Sequence, residues 1–135
     1  MAVGGVEVID LGFVAAEALT KWRFGVQIAG DRLIEMADGA AERVTGVIQH
    51  DVSAGDAVLG AHVNIRLMGI STVEAGAAIA VGDFLTTDSV GRAAVVAASV
   101  GLKEVAGIAL GAAAGAGDLI SMLVLPSSSR NTATT

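Results

Sequence analysis

Apolar and polar positions alternate through most of this chain, and that pattern predicts a series of short strands. Across residues 20–28, Trp22, Phe24, Val26 and Ile28 fall on one face, the period of a half-buried strand. Residues 57–68 follow the same rule, with Val58, Val63, Ile65 and Leu67 inward and Gly60 marking a bulge or bend. Residues 69–76 read as the join to a second half, whose expected strands are 84–87, 92–98, 105–110 and 119–125. Pro126 is expected to end the last of these, because it has no N–H to give a ladder. Residues 13–23 read differently: Ala16, Glu17, Ala18 and Leu19 are good helix formers and predict a short helix, in competition with the strand beginning at Thr20.

Above the level of strands, one phrase recurs. Ile28-Ala-Gly-Asp-Arg-Leu-Ile-Glu-Met-Ala-Asp-Gly39 and Ala80-Val-Gly-Asp-Phe-Leu-Thr-Thr-Asp-Ser-Val-Gly91 coincide at Gly30/Gly82, Asp31/Asp83, Leu33/Leu85 and Gly39/Gly91 without a gap. Each copy leads to a second phrase, Val44-Thr-Gly-Val-Ile48 or Val105-Ala-Gly-Ile-Ala109, and then to another Gly-Asp and an apolar strand. A phrase repeated in order signals a duplicated unit. The expected fold is therefore mainly β, a compact barrel or sandwich of two similar halves, 20–68 and 77–125. An N-terminal arm over 1–19 precedes it, and a polar, low-complexity tail over 126–135 is expected to be disordered.

Four Gly-Asp pairs punctuate the strands: Gly30-Asp31, Gly55-Asp56, Gly82-Asp83 and Gly117-Asp118. Glycine reaches positive φ without a Cβ clash and the neighbouring carboxylate can accept a backbone N–H, so all four are expected to be turn formers. Asp38-Gly39 predicts a hairpin, with residues 44–48 as the returning strand.

Composition changes this picture in two ways. The chain is 53% hydrophobic but only 3% aromatic, with 18 glycines among 135 residues, so its core is built from Val, Ile, Leu and Ala around tight turns. The mean hydropathy of +0.70 is high. The longest uncharged apolar stretch, between Glu104 and Asp118, is nonetheless too short for the roughly 20 residues of a spanning helix. The expectation is apolar surface buried against sister subunits, with no membrane partner. Glu7 and Asp10 stand where a secretory signal would carry basic residues. Net charge is −6 and the eight basic residues are scattered singly, which disfavours nucleic acid as a partner. Cysteine is absent, removing disulfides and thiolate chemistry.

Candidate chemistry is sparse. His50, Asp51, Asp56 and His62 form the one grouping that suggests metal or acid–base work, yet their spacing matches no zinc pattern. The Gly-Asp carboxylates are spread too widely for a calcium loop. The glycine-rich stretch 111–117 is followed by Asp118, which would repel phosphate, where a P-loop needs Lys and Ser or Thr. Ser71, Ser89, Ser99 and Ser121 lack a histidine in any nucleophile motif. No catalytic, metal or cofactor-binding residue is expected. Trp22, flanked by Arg23 and Phe24, reads either as a core residue or as an interface anchor.

Taken together, Gly30-Asp31, Val44-Thr-Gly-Val-Ile48, Gly82-Asp83-Phe-Leu, Val105-Ala-Gly-Ile-Ala109 and Gly117-Asp118-Leu-Ile give a chain that resembles the capsid cement, or head decoration, proteins of tailed bacteriophages. The likeness covers residues 20–125. It implies a trimer on the outside of the capsid near three-fold and quasi-three-fold positions, bound to the major capsid protein. It further implies no enzymatic activity, synthesis in the bacterial host cytoplasm, and an arm (1–19) that contacts the shell. A lipoyl- or biotinyl-like carrier, or a small-ligand-binding β module, is the alternative; its modified residue would be Lys103.

Overall fold

The computed structural model describes residues 7–39, 43–96 and 102–131. Among the described residues nine strands and one short helix follow in the order β1 (Ile9–Ala15), β2 (Phe24–Gln27), β3 (Leu33–Met36), β4 (Gly46–Ile48), α1 (Ala54–Val58), β5 (His62–Glu74), β6 (Phe84–Thr87), β7 (Ala93–Val95), β8 (Leu102–Ala109) and β9 (Leu119–Asn131). Hydrogen bonding orders the strands β1-β3-β2-β4-β5-β9-β8-β6-β7, and β1 also pairs with β5. The first five strands therefore form a closed ring. A second ring, β5-β9-β8-β6-β7, closes more sparingly, through a parallel bridge between Ala75 and Ala93.

The two rings are copies. In the first, β1 runs parallel to β3 with Ala15 opposite Ile34, and in the second Ala75 at the end of β5 runs parallel to Ala93. The Ala16 N–H donates to the Ile34 carbonyl as the Gly76 N–H donates to that of Ala93. Leu19 bridges Val52 and Ile79 bridges Ala113. The Trp22 N–H meets the Ile48 carbonyl, and the Gly82 N–H that of Ala109. Phe24 pairs with Val47, and Phe84 with Ile108. The long strand β5 ends the first barrel and begins the second, so residues 69–76 are mostly strand rather than a joining loop. At the switch, Gly69 has φ +104, and a Cβ there would crowd the Glu7 carbonyl at 2.7 Å.

This corrects the register of the repeat. Val44-Thr-Gly-Val-Ile48 and Val105-Ala-Gly-Ile-Ala109 are truly equivalent, but the strand that matches β6 is β2, not β3, so the counterpart of Gly82 is Trp22, not Gly30. Glycine and aspartate recur wherever a chain turns, and their coincidence across the two phrases carried no register. For the same reason the hairpin expected at Asp38-Gly39 does not form between β3 and β4; β2 lies between them.

Other expectations change as well. The helix expected over 13–23 is absent, because Phe13 and Ala15 are core residues of β1, paired to β5, and tertiary pairing outweighs their local propensity. All of β1 falls within the stretch expected to be an arm, 1–19; residues 1–6 lie outside the described residues. Gly55-Asp56 sits in helix α1, whose N-cap Ser53 accepts from the Asp56 N–H, and Val58 at its end is 86% exposed rather than inward. Pro126 does not end β9. The β8–β9 register shifts between Val105 and Gly107, Val105 pairing with Ser128 and Gly107 with Val124, so the proline falls in a bulge where no ladder N–H is required. Residues 127–131 continue that ladder; residues 132–135 lie outside the described residues, as do residues 97 and 98 of the strand expected over 92–98.

Each barrel encloses an apolar core. Phe13, Leu19, Ile34, Ile48, Val52, Val63 and Ile65 fill the first, and Val73, Ile79, Leu85, Ile120 and Met122 are among those filling the second. Phe24, Val44 and Val47 belong to the second cluster although they stand on the first barrel. They point outward from their own ring and pack against its sister, joining the two.

Candidate functional site

The residues singled out for chemistry do not converge. The His50 ring lies 3.3 Å from the Asn64 N–H, Asp51 accepts from the Lys21 N–H at 2.8 Å, and His62 is exposed on β5. Among the described residues no group of three or more His, Cys, Asp or Glu could hold a metal ion. Ser71 is buried and bonded to Gln49, Ser89 lies in the β6–β7 turn, Ser121 is exposed on β9, and Ser99 is outside the described residues. The backbone of Lys103 lies in β8 opposite Arg130, within a ladder rather than at the tip of a turn. No helix among the described residues is long and apolar enough to cross a membrane.

The Gly-Asp corners divide. Gly30, Gly82 and Gly117 have φ +123, +91 and +92. The Asp83 carboxylate accepts from the Ala80 N–H and that of Asp118 from the Ala114 N–H, both at 2.8 Å, so these two carboxylates tie down the turns they follow. Beyond Gly30 the chain continues through Arg32, itself at φ +56. Gly55 is helical instead. Gly82→Val is expected to cost about 1–3 kcal/mol through backbone strain. A Cβ there meets nothing within 4 Å, so no clash contributes; an unchanged melting temperature would mean that the turn relaxes freely.

The Trp22, Arg23 and Phe24 group lies where the barrels meet. Phe24 is 1% exposed and packs into the joint between the barrels. Arg23 pairs with Glu74 at 3.0 Å and donates to the Val90 carbonyl at 3.3 Å, while the Glu74 N–H donates to the Trp22 carbonyl. Trp22 has φ +67, rare for a bulky residue, and keeps its ring half-exposed with the Lys21 ammonium 5.8 Å from its centre. Where the other barrel has a glycine, this one holds a strained tryptophan.

The surface with the most distinctive pattern was not singled out by the sequence reading. On the outside of the second barrel, Phe84, Ile108, Leu123 and Ile70 face one another across β6, β8, β9 and β5. The corresponding row on the first barrel is Phe24, Val47, Arg66 and Asp10. There the two apolar members are buried by the second barrel, and the other two form a bidentate ion pair at 2.8 and 3.0 Å. The hydrogen bonding that Arg66 donates to the Asp10 carboxylate raises the Arg66 pKa above its ordinary value, against the lowering effect of partial burial. On the second barrel all four positions are apolar, Phe84 retains 40% exposure, and Ile108, Leu123 and Ile70 are half-buried. A signal for this row did exist: Leu119-Ile-Ser-Met-Leu-Val-Leu125 is apolar at both parities over most of its length, as a strand is when both its faces are covered.

With the two fused barrels in view, a comparison with solved structures finds the crystal structure of the N base of head fiber gp8.5 in bacteriophage phi29. The match has a TM-score of 0.62 at 22% identity, covering 87% of this chain and 94% of the other. The chain shares the fold of a phage head-fiber base. No protein-family profile matches the sequence, and no curated protein does. The two-part β architecture expected from the sequence is thus found in a solved structure whose likeness to this chain, at 22% identity, is one of fold.

Proposed function

We propose that this chain is a structural virion protein that decorates and stabilises the outside of a phage capsid. In this reading it binds the major capsid protein as a homotrimer at three-fold and quasi-three-fold positions, without catalysis or cofactor. It is made in the host cytoplasm and carried on the virion. The observation that carries the reading is the fold shared along 94% of a phage head-fiber base.

Physical features support it. Two closed ladders around a shared strand make a stiff body, and the ordered side chains form turn and joint contacts rather than a convergent site. A decoration subunit gains its grip by avidity over a repeating lattice, so each contact can be modest while the sum is strong. The half-exposed apolar row suits a protein that is soluble when made and buried when assembled.

Electron microscopy of phage particles carrying the protein tests this. The expected result is protrusions at three-fold positions that vanish from particles lacking it and return when the purified chain is added. Light scattering is expected to give three times the 13.3 kDa chain mass. Bare three-fold positions on particles offered an excess of folded protein would end the reading.

A further inference from the structure

We infer that the outer face of the second barrel, centred on Ile108, Leu123 and Ile70, is where another copy of this chain packs. The inference deepens the homotrimer part of the proposal above and rests on it. The same row exists on both barrels, strand for strand. On the first barrel, the half that meets the second barrel is apolar, Phe24 and Val47, and the half that meets solvent is the Arg66–Asp10 pair. Side-chain chemistry in that row thus follows what lies over it.

On the second barrel Leu123 and Ile70 occupy the positions of Arg66 and Asp10, so the row is written throughout in the chemistry used under cover. The apolar surface widens beyond the row, with Met68 on the same face of β5 and Leu110 just past β8, both more than 40% exposed. The neighbouring outward pair, Thr72 and Ser121, is uncharged. On a chain of net charge −6, copies repel one another over most approaches. The carboxylates bordering this face, Glu74 further along β5 and Asp10, whose partner Arg66 donates to the Ile70 carbonyl, are each paired with an arginine. The interface inside the chain supplies the precedent for what fits there, since a face of this kind is already closed by the other barrel of the same chain.

The test writes the first barrel's solution onto the second: Leu123→Arg together with Ile70→Asp, which installs the Arg66–Asp10 ladder pair at the equivalent positions. Sedimentation velocity over a concentration series should find the unsubstituted chain assembled. The double variant should keep its circular dichroism spectrum but associate about a hundredfold or more weakly. Leu123→Gln, a milder change, should weaken assembly in the same direction and decides the question if the double variant misfolds. Val58→Asp, at the exposed end of α1, should leave assembly unchanged.

A chain that is monomeric throughout the series, or a folded double variant that still assembles, overturns the inference. If the chain assembles through this face yet never decorates shells, the capsid reading falls and the inference stands. If a monomer decorates shells and the double variant does not, the face belongs to the capsid protein and the inference falls.

Discussion

Gly46→Ala is expected to destabilise the folded chain by about 2–4 kcal/mol, seen as a lower urea midpoint with an unchanged slope. Gly46 lies on β4 against β5, and a Cβ at that position would press into the carbonyl oxygen of Arg66 and stand 2.8 Å from Ile65 Cγ2. A side-chain end can swing away, but a strand backbone held in a closed ladder cannot, so the sheet itself has to open. The second barrel repeats the arrangement: a Cβ on Gly107 would press into the Leu123 carbonyl and lie 2.8 Å from Met122 Sδ. Gly107→Ala should therefore cost a similar amount. Gly12→Ala, where nothing lies within 4 Å, is the control and should change stability little. If Gly46→Ala and Gly12→Ala melt alike, β4 and β5 do not approach as described.

The second large effect is expected in a pair rather than a single change. Ile34→Ala should cost about 2–5 kcal/mol, as emptying a buried site does, because Ile34 is fully buried in the first barrel. Adding Gly25→Leu should restore at least half of that loss. Gly25 faces Ile34 and Ile48, and a Cβ there would lie 2.9 Å from Ile34 Cδ1. At the equivalent positions the second barrel carries Leu85, Ala93 and Ala109, all fully buried. One barrel fills the space with two large residues around a glycine, the other with one large residue between two alanines. Gly25→Leu alone should overpack the first core, and a double-mutant cycle should give a coupling of about 1–3 kcal/mol in favour of the pair. Simple additivity of the two losses would show that the two cores are not interchangeable in this way.

That exchange of volumes explains much of what could be read from the residues and what could not. The β class and several C-terminal strands followed from alternation and turn chemistry. The Val-x-Gly phrase was found in its true register because Gly46 and Gly107 are both held by a close backbone approach that only glycine permits. Elsewhere the copies redistribute bulk among equivalent positions rather than keep residues, so Gly25 stands for Leu85 and Ile34 for Ala93, and no matching of letters aligns them. Trp22 in the place of Gly82 hides the corner still further.

Local rules failed where tertiary pairing overrode them. Phe13 is taken into a sheet by β5 and Ala15 by β3, and Pro126 is accommodated by a bulge that no propensity reveals. The outward apolar row was only faintly legible for a different reason: Leu123 lies in a stretch apolar at both parities, but Ile70, Ile108 and Leu123 stand far apart in the chain, and Ile70 and Ile108 are ordinary apolar strand residues. Their outward placement emerges only once the strands are paired and compared with Arg66 and Asp10.

The strand common to both barrels also has a mechanical meaning. Two domains joined by a linker would part under load at the contact between them. Here β5 is one covalent backbone through both barrels, with β1 hydrogen-bonded along its first half and β9 along its second, so parting the barrels along that axis puts this backbone in tension. The ladders on its flanks, lying across the direction of force, are loaded in shear and must yield many rungs together rather than unzip one at a time. A body built in that way resists being drawn apart along β5 more than two domains on a linker would.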